Sequence, residues 1–200
     1  MYLQTPLKEE DVRSLHVGDT VLISGYIFTG RDKIHKLIFE SGGGLDIPFT
    51  LDGGIIYHCG PVIRVIDGGS EKASFELLAC GPTTSMRLDM YEWCLIRDYH
   101  VRAIIGKGGM GERTKEALKD YGCVYLHTIS GAAVYLANKV VAVEDVWKYE
   151  EFGAADAMWK MQVMEFPAIV TMDSFGRSLH DDIKLKSIEK AKEILILKKR

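Results

Sequence analysis

The sequence predicts a single α/β domain with a β-rich front half followed by strand–helix alternation. Short runs of β-branched and aromatic residues, separated by glycine and proline turns, fill most of the first 80 positions. Beyond the Gly81-Pro82 turn, strand-like runs alternate with helical ones, which is typical of parallel strands covered by helices. No Pro/Ser-rich linker divides the 200 residues, so we expect one core.

Strands dominate the predicted elements of the front half. They are predicted over residues 20–28, 55–58, 62–66 and 74–80. A short helix is predicted over residues 31–40, because the apolar residues Ile34, Leu37 and Ile38 recur there at a helical spacing. An Asp-Gly-Gly run at 67–69 predicts the turn that joins the last two strands.

Helices and strands alternate in the second half. Helices are predicted over residues 85–97, 112–121 and 131–138, and strands over 101–105, 124–127, 140–146, 161–164 and 168–172. Gly122 follows the second of these helices, where a C-cap glycine is expected. Residues 181–200 predict a charged helical tail, and we interpret its Lys198-Lys199-Arg200 end as a solvated helix terminus.

Composition and charge exclude several classes of protein. The chain is 47% apolar and 26% charged, which is the composition of a globular protein and excludes disorder. Its 25 basic and 28 acidic residues give a net charge of −3, without the basic balance expected of a nucleic-acid binder. No apolar run approaches the ~20 residues of a membrane helix, and the N-terminus lacks a signal-peptide pattern. We therefore expect a cytoplasmic protein that binds neither nucleic acid nor membrane.

Four cysteines, Cys59, Cys80, Cys94 and Cys123, are widely spaced along the chain. No two of them form a C-x-x-C pair, so neither a zinc site nor a complete iron–sulfur ligand set can be identified. We expect four reduced, mostly buried thiols and no metal bound by this chain.

Three polar clusters follow predicted strands, at residues 29–35, 80–87 and 105–112. Rigid strands aim such residues, and a ligand can reach them. Together the clusters supply three cations, which are Arg31, Arg87 and Lys107. Two guanidinium forks and one ammonium point charge suit the planar carboxylates of a dicarboxylate substrate.

The second cluster also opens a predicted helix. Thr83, Thr84 and Ser85 are each plausible N-caps for the helix at 85–97. In the first cluster, His35 lies four residues after Arg31, so that both could share one face of a helical turn.

The third cluster contains a glycine-rich run at 106–111 that satisfies the pattern G-x-G-x-x-G. A dinucleotide site also needs an acidic residue at the end of the next strand, and residues 124–130 contain none. NAD binding is therefore a remote alternative. The backbone N–H groups at the start of the helix at 112–121, together with Lys107, predict a more general anion seat.

Five blocks in this order resemble one known family. They are the run at 25–35, the run at 55–64 around His-Cys-Gly-Pro, the Gly-Pro-Thr-Thr-Ser-Met-Arg motif at 81–87, the glycine-rich run at 106–111, and residues 159–167. Over residues 3–180 the chain resembles the β subunit, or C-terminal domain, of class I fumarate hydratase and of its sister, L(+)-tartrate dehydratase. The resemblance implies a swivelling β/β/α domain over residues 1–180, with 181–200 as a charged helical extension of the same domain.

The resemblance also implies a reaction, a cofactor and a partner. The reaction would be the reversible hydration of fumarate to L-malate. A 4Fe–4S cluster would be held by a partner α subunit and not by this chain, in an α2β2 hetero-oligomer that is active only when assembled. Dehydration of tartrate to oxaloacetate is the first alternative, and a non-catalytic anion-binding module is the second.

Site residues follow from the same resemblance. Arg31, Arg87, Lys107 and Thr83 would bind the substrate, and Thr83 would be the base at the substrate carbon. A threonine hydroxyl is a weak base, so neighbouring cations or a relay must assist it.

Three further residues complete the predicted site. His35 would be an active-site residue, either as a proton relay or by orienting Arg31. Asp32 and Thr84 would support the substrate-binding groups.

Overall fold

Strands and helices alternate along the computed structural model, which describes residues 1–66 and 74–197. The strands are β1 (Tyr2–Gln4), β2 (Thr20–Thr29), β3 (Ile55–Tyr57), β4 (Val62–Ile66), β5 (Ser74–Ala79), β6 (Ala103–Gly106), β7 (Val124–His127), β8 (Val140–Trp147) and β9 (Met158–Met172). The helices are α1 (Glu9–Arg13), α2 (Asp32–Glu40), α3 (Asp89–Tyr99), α4 (Glu112–Tyr121), α5 (Ala133–Ala137), α6 (Tyr149–Phe152) and α7 (Leu179–Leu197), with a 3₁₀ turn at Met86–Leu88. The α/β class is confirmed. The predicted turn at 67–69 and the last three residues of the tail lie outside the described residues.

Within the described residues, seven strands form one sheet in the order β1-β2-β3-β6-β7-β9-β8, and β4 and β5 form a separate hairpin. β1, β2, β3, β6 and β7 pair in parallel, as the strand–helix alternation predicts. β9 is antiparallel to its neighbours, and it pairs with β7 on one side and, over residues 160–169, with β2 on the other. The strands β2, β3, β6, β7 and β9 therefore close into a ring.

The alternation of side chains along the strands produces two cores. In β6, Ala103 and Ile105 pack in one cluster with Trp159 and Phe166 of β9. Ile104 points to the opposite face and packs in a second cluster formed with α2, α3 and α4. Because both faces of the central strands β3 and β6 are covered, their sequences are continuously apolar and do not alternate with polar residues.

Two predictions of where strands and helices begin and end need correction. Residues 161–164 and 168–172, predicted as two strands, belong to one 15-residue strand, β9. The interruption contains Glu165 at φ +50 and Pro167, and the register with β2 shifts there, so it is an irregularity within the strand. The helix predicted over 85–97 starts with the 3₁₀ turn, and α3 itself spans Asp89–Tyr99.

The start of α4 is occupied by a side chain of the protein. Asp89 Oδ1 accepts hydrogen bonds from the backbone N–H groups of Gly111 (2.9 Å) and Thr114 (3.2 Å). This carboxylate already satisfies two of the N–H groups that were expected to bind an external anion, so an anion at this helix start would have to compete with Asp89. At the other end, Gly122 adopts φ +65, and the predicted C-cap is confirmed.

None of the helices described combines the length and the apolar content that a membrane-spanning segment needs.

The Asp89 contact generates a prediction about stability. Replacing Asp89 with alanine removes both hydrogen bonds to the start of α4, and we expect a loss of about 1 kcal/mol in the free energy of unfolding. Urea denaturation of the wild-type chain and the variant measures it. Asp46→Ala, at an exposed position, is the control and should change stability by less than about 0.5 kcal/mol. Equal stability of the two variants would show that Asp89 does not cap α4.

Candidate active site

The carboxyl ends of four neighbouring parallel strands meet at one edge of the ring. Arg31 follows β2, His58 follows β3, Lys107 follows β6 and Thr128 follows β7. Neighbouring strands lie about 4.8 Å apart, so the backbones of these four residues span roughly 15 Å. In α/β proteins, this edge is where ligands bind.

A short backbone segment inserts between the ends of β3 and β6. The Thr83 N–H donates to the His58 carbonyl (2.7 Å), and the Lys107 N–H donates to the Thr83 carbonyl (3.3 Å). The Ser85 N–H donates in turn to the Lys107 carbonyl (3.0 Å). Thr83 is thereby fixed at the centre of the carboxyl edge, between two strands that carry candidate site residues.

Arg31 and Arg87 converge on one carboxylate. Asp32 Oδ1 lies 2.9 Å from Arg87 Nε, and Asp32 Oδ2 lies 4.0 Å from an Arg31 terminal nitrogen. Arg31 also lies 3.8 Å from Asp156 Oδ1 through its Nε, and it donates to the Ala155 carbonyl at 3.4 Å. The structure therefore brings together the first two predicted cations and Asp32.

Lys107 lies further along the edge. Among the described residues, no carboxylate lies within 4.0 Å of its ammonium. Burial lowers the pKa of His127, the last residue of β7, and the Lys107 ammonium lowers it further. Thr84 is exposed and forms a bridge with Lys107 through the backbone.

The Thr83 hydroxyl has unused hydrogen-bonding capacity. Its Oγ1 is buried, and it has no hydrogen-bond partner in the part of the chain that the structure describes. A buried hydroxyl without a partner costs free energy unless a ligand satisfies it. This feature marks Thr83 as a group that a ligand at the edge would meet.

Beneath the edge lies a buried polar network that centres on Glu92 of α3. Glu92 Oε2 lies 2.7 Å from His35 Nε2 and 2.7 Å from His58 Nε2. His58 Nδ1 lies 2.8 Å from Ser85 Oγ, which accepts a hydrogen bond from the Tyr125 hydroxyl at 2.8 Å. All five side chains are 0% exposed.

His35 contacts Arg31 through the backbone. Its Nδ1 lies 2.8 Å from the Arg31 carbonyl oxygen, and its ring is buried. The predicted proximity of the two residues is thus present, with the ring turned toward Glu92 and away from the carboxyl edge.

Burial and charge oppose one another in this network. Burial alone would raise the pKa of Glu92, but the two histidines outweigh it and the pKa is lowered. Burial also disfavours the charged form of His35, yet Glu92 and the Arg31 carbonyl outweigh it and the pKa is raised. The pKa of His58 is lowered, because burial, together with the positive charges of His35 and Arg87, outweighs the opposite effect of the Glu92 carboxylate.

The sequence did not predict that Glu92, His58, Ser85 and Tyr125 form a network. His58 follows a predicted strand, as Arg31 does, and this signal was available. Glu92 lies seven residues after Ser85 on the predicted helix, a spacing that places both on one face. The burial of the Glu92 carboxylate could not be predicted from neighbouring residues, because glutamates on helices are mostly exposed.

The cysteines do not form a cluster site. All four are free and buried, and burial raises the pKa of each thiol above its ordinary value, that of Cys80 to about 12. Among the described residues, the one close group of three potential metal ligands is His35, His58 and Glu92, which contains no cysteine. An iron–sulfur cluster therefore does not fit these four cysteines, and the expectation that the thiols are buried is confirmed.

A protein-family model described as "Fumarase C-terminus" matches residues 1–183. Over 188 residues the chain is 49% identical to a protein of Geobacillus stearothermophilus named putative fumarate hydratase class I. That match covers 94% of this chain and 35% of the relative, so the chain spans about a third of that protein's length.

Two relatives are of similar length to this chain. A Methanocaldococcus jannaschii protein named putative L(+)-tartrate dehydratase subunit beta is 38% identical over 196 residues, which cover 97% of this chain and 98% of the relative. The L(+)-tartrate dehydratase subunit beta of Escherichia coli is 35% identical over 178 residues, which cover 88% of this chain and 85% of the relative.

The close approach of the network to β6 generates a prediction. A Cβ at Gly106 would overlap Ser85 Oγ and would lie 2.9 Å from the Tyr125 hydroxyl oxygen. We expect Gly106→Ala to lower the free energy of unfolding by about 1–3 kcal/mol, measured by urea denaturation.

Gly44 provides the matched control, because it is exposed and a Cβ there would meet nothing closer than 3.7 Å. Gly44→Ala should change stability by less than about 0.5 kcal/mol. If Gly106→Ala is as stable as this control, the network is not packed against β6 as described.

Proposed function

The chain belongs to the Fumarase C-terminus family, and from this we propose that it is the β subunit of a hydro-lyase that hydrates fumarate reversibly to L-malate. The three relatives named above are a fumarate hydratase and two tartrate dehydratase β subunits. All of these names describe addition or removal of water at a small dicarboxylate. A hydro-lyase subunit is the function that they share.

The convergence of Arg31 and Arg87 on one carboxylate is the observation that carries the proposal. Asp32 Oδ1 and Oδ2 lie 2.9 and 4.0 Å from the two guanidinium groups, so one planar carboxylate already fits between them. A substrate carboxylate would present the same oxygens to the same forks. Lys107, with no carboxylate near it among the described residues, would take the second carboxylate of a dicarboxylate.

Dehydration of a 2-hydroxy diacid removes a proton from the carbon next to a carboxylate. The step needs a base at that carbon and positive charge to stabilise the doubly charged aci-carboxylate that develops. We assign the first role to the Thr83 hydroxyl, whose buried Oγ1 lacks a partner among the described residues. The cations Arg31, Arg87 and Lys107 supply the second, and they also favour proton loss from Thr83.

His35 acts on the substrate only indirectly in this proposal. Its ring is 0% exposed, and both nitrogens have partners within the protein. Of the two predicted roles, we therefore favour the one in which His35 orients Arg31. Asp32 would hold Arg31 and Arg87 before the substrate binds, and Thr84 would support Lys107 through the backbone.

We place the 4Fe–4S cluster in a partner α subunit. The thiols of this chain do not fit a cluster, and two relatives are named as β subunits. The Geobacillus relative is about three times as long as the matching region, which supports fusion of both parts in one chain there. An α2β2 arrangement is the simplest symmetric assembly of two such chains.

The finer description of the fold is also part of the proposal. We propose that residues 1–180 form a swivelling β/β/α domain and that 181–200 is a charged helical extension of it, in a protein located in the cytoplasm. The exposure of the described side chains from 181 to 195 supports a helix that extends from the domain.

Tartrate dehydration is the second candidate. It is supported by the Methanocaldococcus relative, 98% of which the match covers, and by the Escherichia relative. The same cations would bind a substrate with one additional hydroxyl. The relative kcat/KM of the assembled complex for L-malate and L-tartrate distinguishes the two, and no turnover of either would refute the hydro-lyase proposal.

Thr83→Ala tests the catalytic assignment. In the complex with the α subunit, we expect kcat to fall by at least ~10²-fold, because the proton acceptor at the substrate carbon is lost. Thr50→Ala, at an exposed position, is the control and should leave kcat unchanged. Turnover of the Thr83 variant at the wild-type rate would favour the non-catalytic anion-binding alternative. Full activity of the β chain alone would refute the requirement for a partner.

Arg87→Lys tests carboxylate binding. Lysine keeps the charge but loses the bidentate fork, so we expect KM for the dicarboxylate to rise by about 10-fold or more. Arg97→Lys on α3, where Arg97 pairs with the neighbouring Asp98, is the control. An unchanged KM in the Arg87 variant would exclude a direct contact with substrate.

A further inference from the structure

The hydrogen-bond partners of His35 fix where its protons lie. The Arg31 carbonyl oxygen, 2.8 Å from Nδ1, can only accept, so Nδ1 carries a proton. Nε2 lies 2.7 Å from a Glu92 carboxylate oxygen, which also accepts when ionised. Because the lowered pKa of Glu92 keeps this carboxylate ionised, both nitrogens carry protons, and His35 is an imidazolium paired with the Glu92 carboxylate.

In the same network we infer that His58 is neutral, in agreement with its lowered pKa. Its Nε2 lies 2.7 Å from the same Glu92 oxygen and must donate. Its Nδ1 can then accept from the Ser85 hydroxyl at 2.8 Å, while the Tyr125 hydroxyl donates to Ser85 Oγ. The network thus contains one cation and one anion, and every hydrogen bond in it has a donor and an acceptor.

A metal ion between the same three side chains is the competing interpretation, because their ligand atoms lie within 4.8 Å of one another. The two N···O separations of 2.7 Å match charge-assisted hydrogen bonds. At ordinary Zn–N and Zn–O lengths they would close each N–metal–O angle to roughly 80°, far below the tetrahedral value. The distances therefore favour protons over a metal ion.

We propose that Glu92 is a positioning residue, which holds His35 as an imidazolium and His58 as a neutral ring and through them fixes the two backbone segments that carry the substrate-binding groups. His35 anchors the Arg31 carbonyl, at the end of β2. His58 and Ser85 anchor the segment at 83–85, beside Lys107. Glu92 touches no substrate in this arrangement, and the inference rests on the proposed hydro-lyase function.

The cost of burying charge makes the arrangement sensitive to Glu92. Two buried rings converge on one oxygen, and removal of that oxygen leaves an uncompensated buried cation or forces both rings to change protonation. Among the described residues, other titratable or charged groups also face the network from neighbouring elements, and these are Asp32, Arg87, Cys94 and Cys123.

The variants Glu92→Gln and Glu92→Ala distinguish the effect of the Glu92 charge from the effect of its hydrogen bonds to the two histidines. The glutamine amide can donate to both Nε2 atoms if each ring becomes neutral with its proton on Nδ1, so contacts survive while the ion pair is lost. Alanine removes both. Glu116→Gln, at an exposed position on α4, is the matched control.

The charge state is read in the full-length chain by NMR of the ring nitrogens at neutral pH. We expect both nitrogens of His35 to be protonated in the wild-type chain and only Nδ1 in Glu92→Gln. A neutral His35 in the wild-type chain would overturn the proposal, as would one equivalent of tightly bound metal that is lost on substitution of Glu92.

The positioning role is read in the assembled complex. Loss of folded protein lowers kcat alone, whereas displacement of Arg31 also raises KM. We expect KM for the dicarboxylate to rise about 10-fold in Glu92→Gln, and kcat/KM to fall about 10²-fold in Glu92→Ala if it folds. An unchanged KM in Glu92→Gln overturns the positioning role.

The kinetic measurement and the NMR measurement test different claims, so either one can be refuted without the other. A wild-type complex that turns over neither malate nor tartrate would refute the proposed function, and with it the role of Glu92 in that reaction. The NMR result would still decide whether the buried ion pair exists.

Discussion

One oxygen atom, Glu92 Oε2, joins three parts of the chain that are far apart in sequence. Through His35 it reaches the start of α2, and through His58 it reaches the end of β3. All three side chains are buried, and ionised groups are stable in a buried position only when hydrogen bonds replace the lost water. This requirement also explains two glycines at strand ends: a Cβ at Gly30 would lie 2.9 Å from His35 Cε1, and one at Gly106 would overlap Ser85. The carboxyl edge is built around this contact.

The edge holds a carboxylate of its own in the place proposed for the substrate. Asp32 keeps Arg87 and Arg31 from being bare, adjacent cations, whose repulsion would otherwise spread the guanidinium groups. A dicarboxylate arriving at the edge would meet groups that are already oriented, and pre-orientation lowers the entropic cost of binding. The affinity for the dicarboxylate would then depend on the free energy needed to break the ion pair between Asp32 and one of the two arginines.

Patterns local in sequence predicted the parts of this protein that depend on local interactions. The apolar runs that end in Gly-Arg, Gly-Lys and Gly-Pro marked the strand ends, and parallel pairing brought the first two to one edge. Contacts between distant positions had no such signal. Asp89 caps a helix that starts more than twenty residues later, and Glu92 resembles any exposed glutamate on a helix until the histidines are placed beside it. The continuous β9 was divided because Glu165 and Pro167 disrupt the pattern without ending the strand.

The pairing of β9 with β2 has a consequence for how the protein is made. The two strands are separated by well over one hundred residues, yet they share the longest register among the strands that the structure describes. On a ribosome, the edges of β2 and β7 that pair with β9 stay unpaired until β9 has emerged. Non-local pairing of this kind slows folding and exposes strand edges to aggregation. Nascent chains should therefore need shielding by chaperones from the synthesis of β2 until that of β9, and a premature stop before β9 should yield an insoluble product.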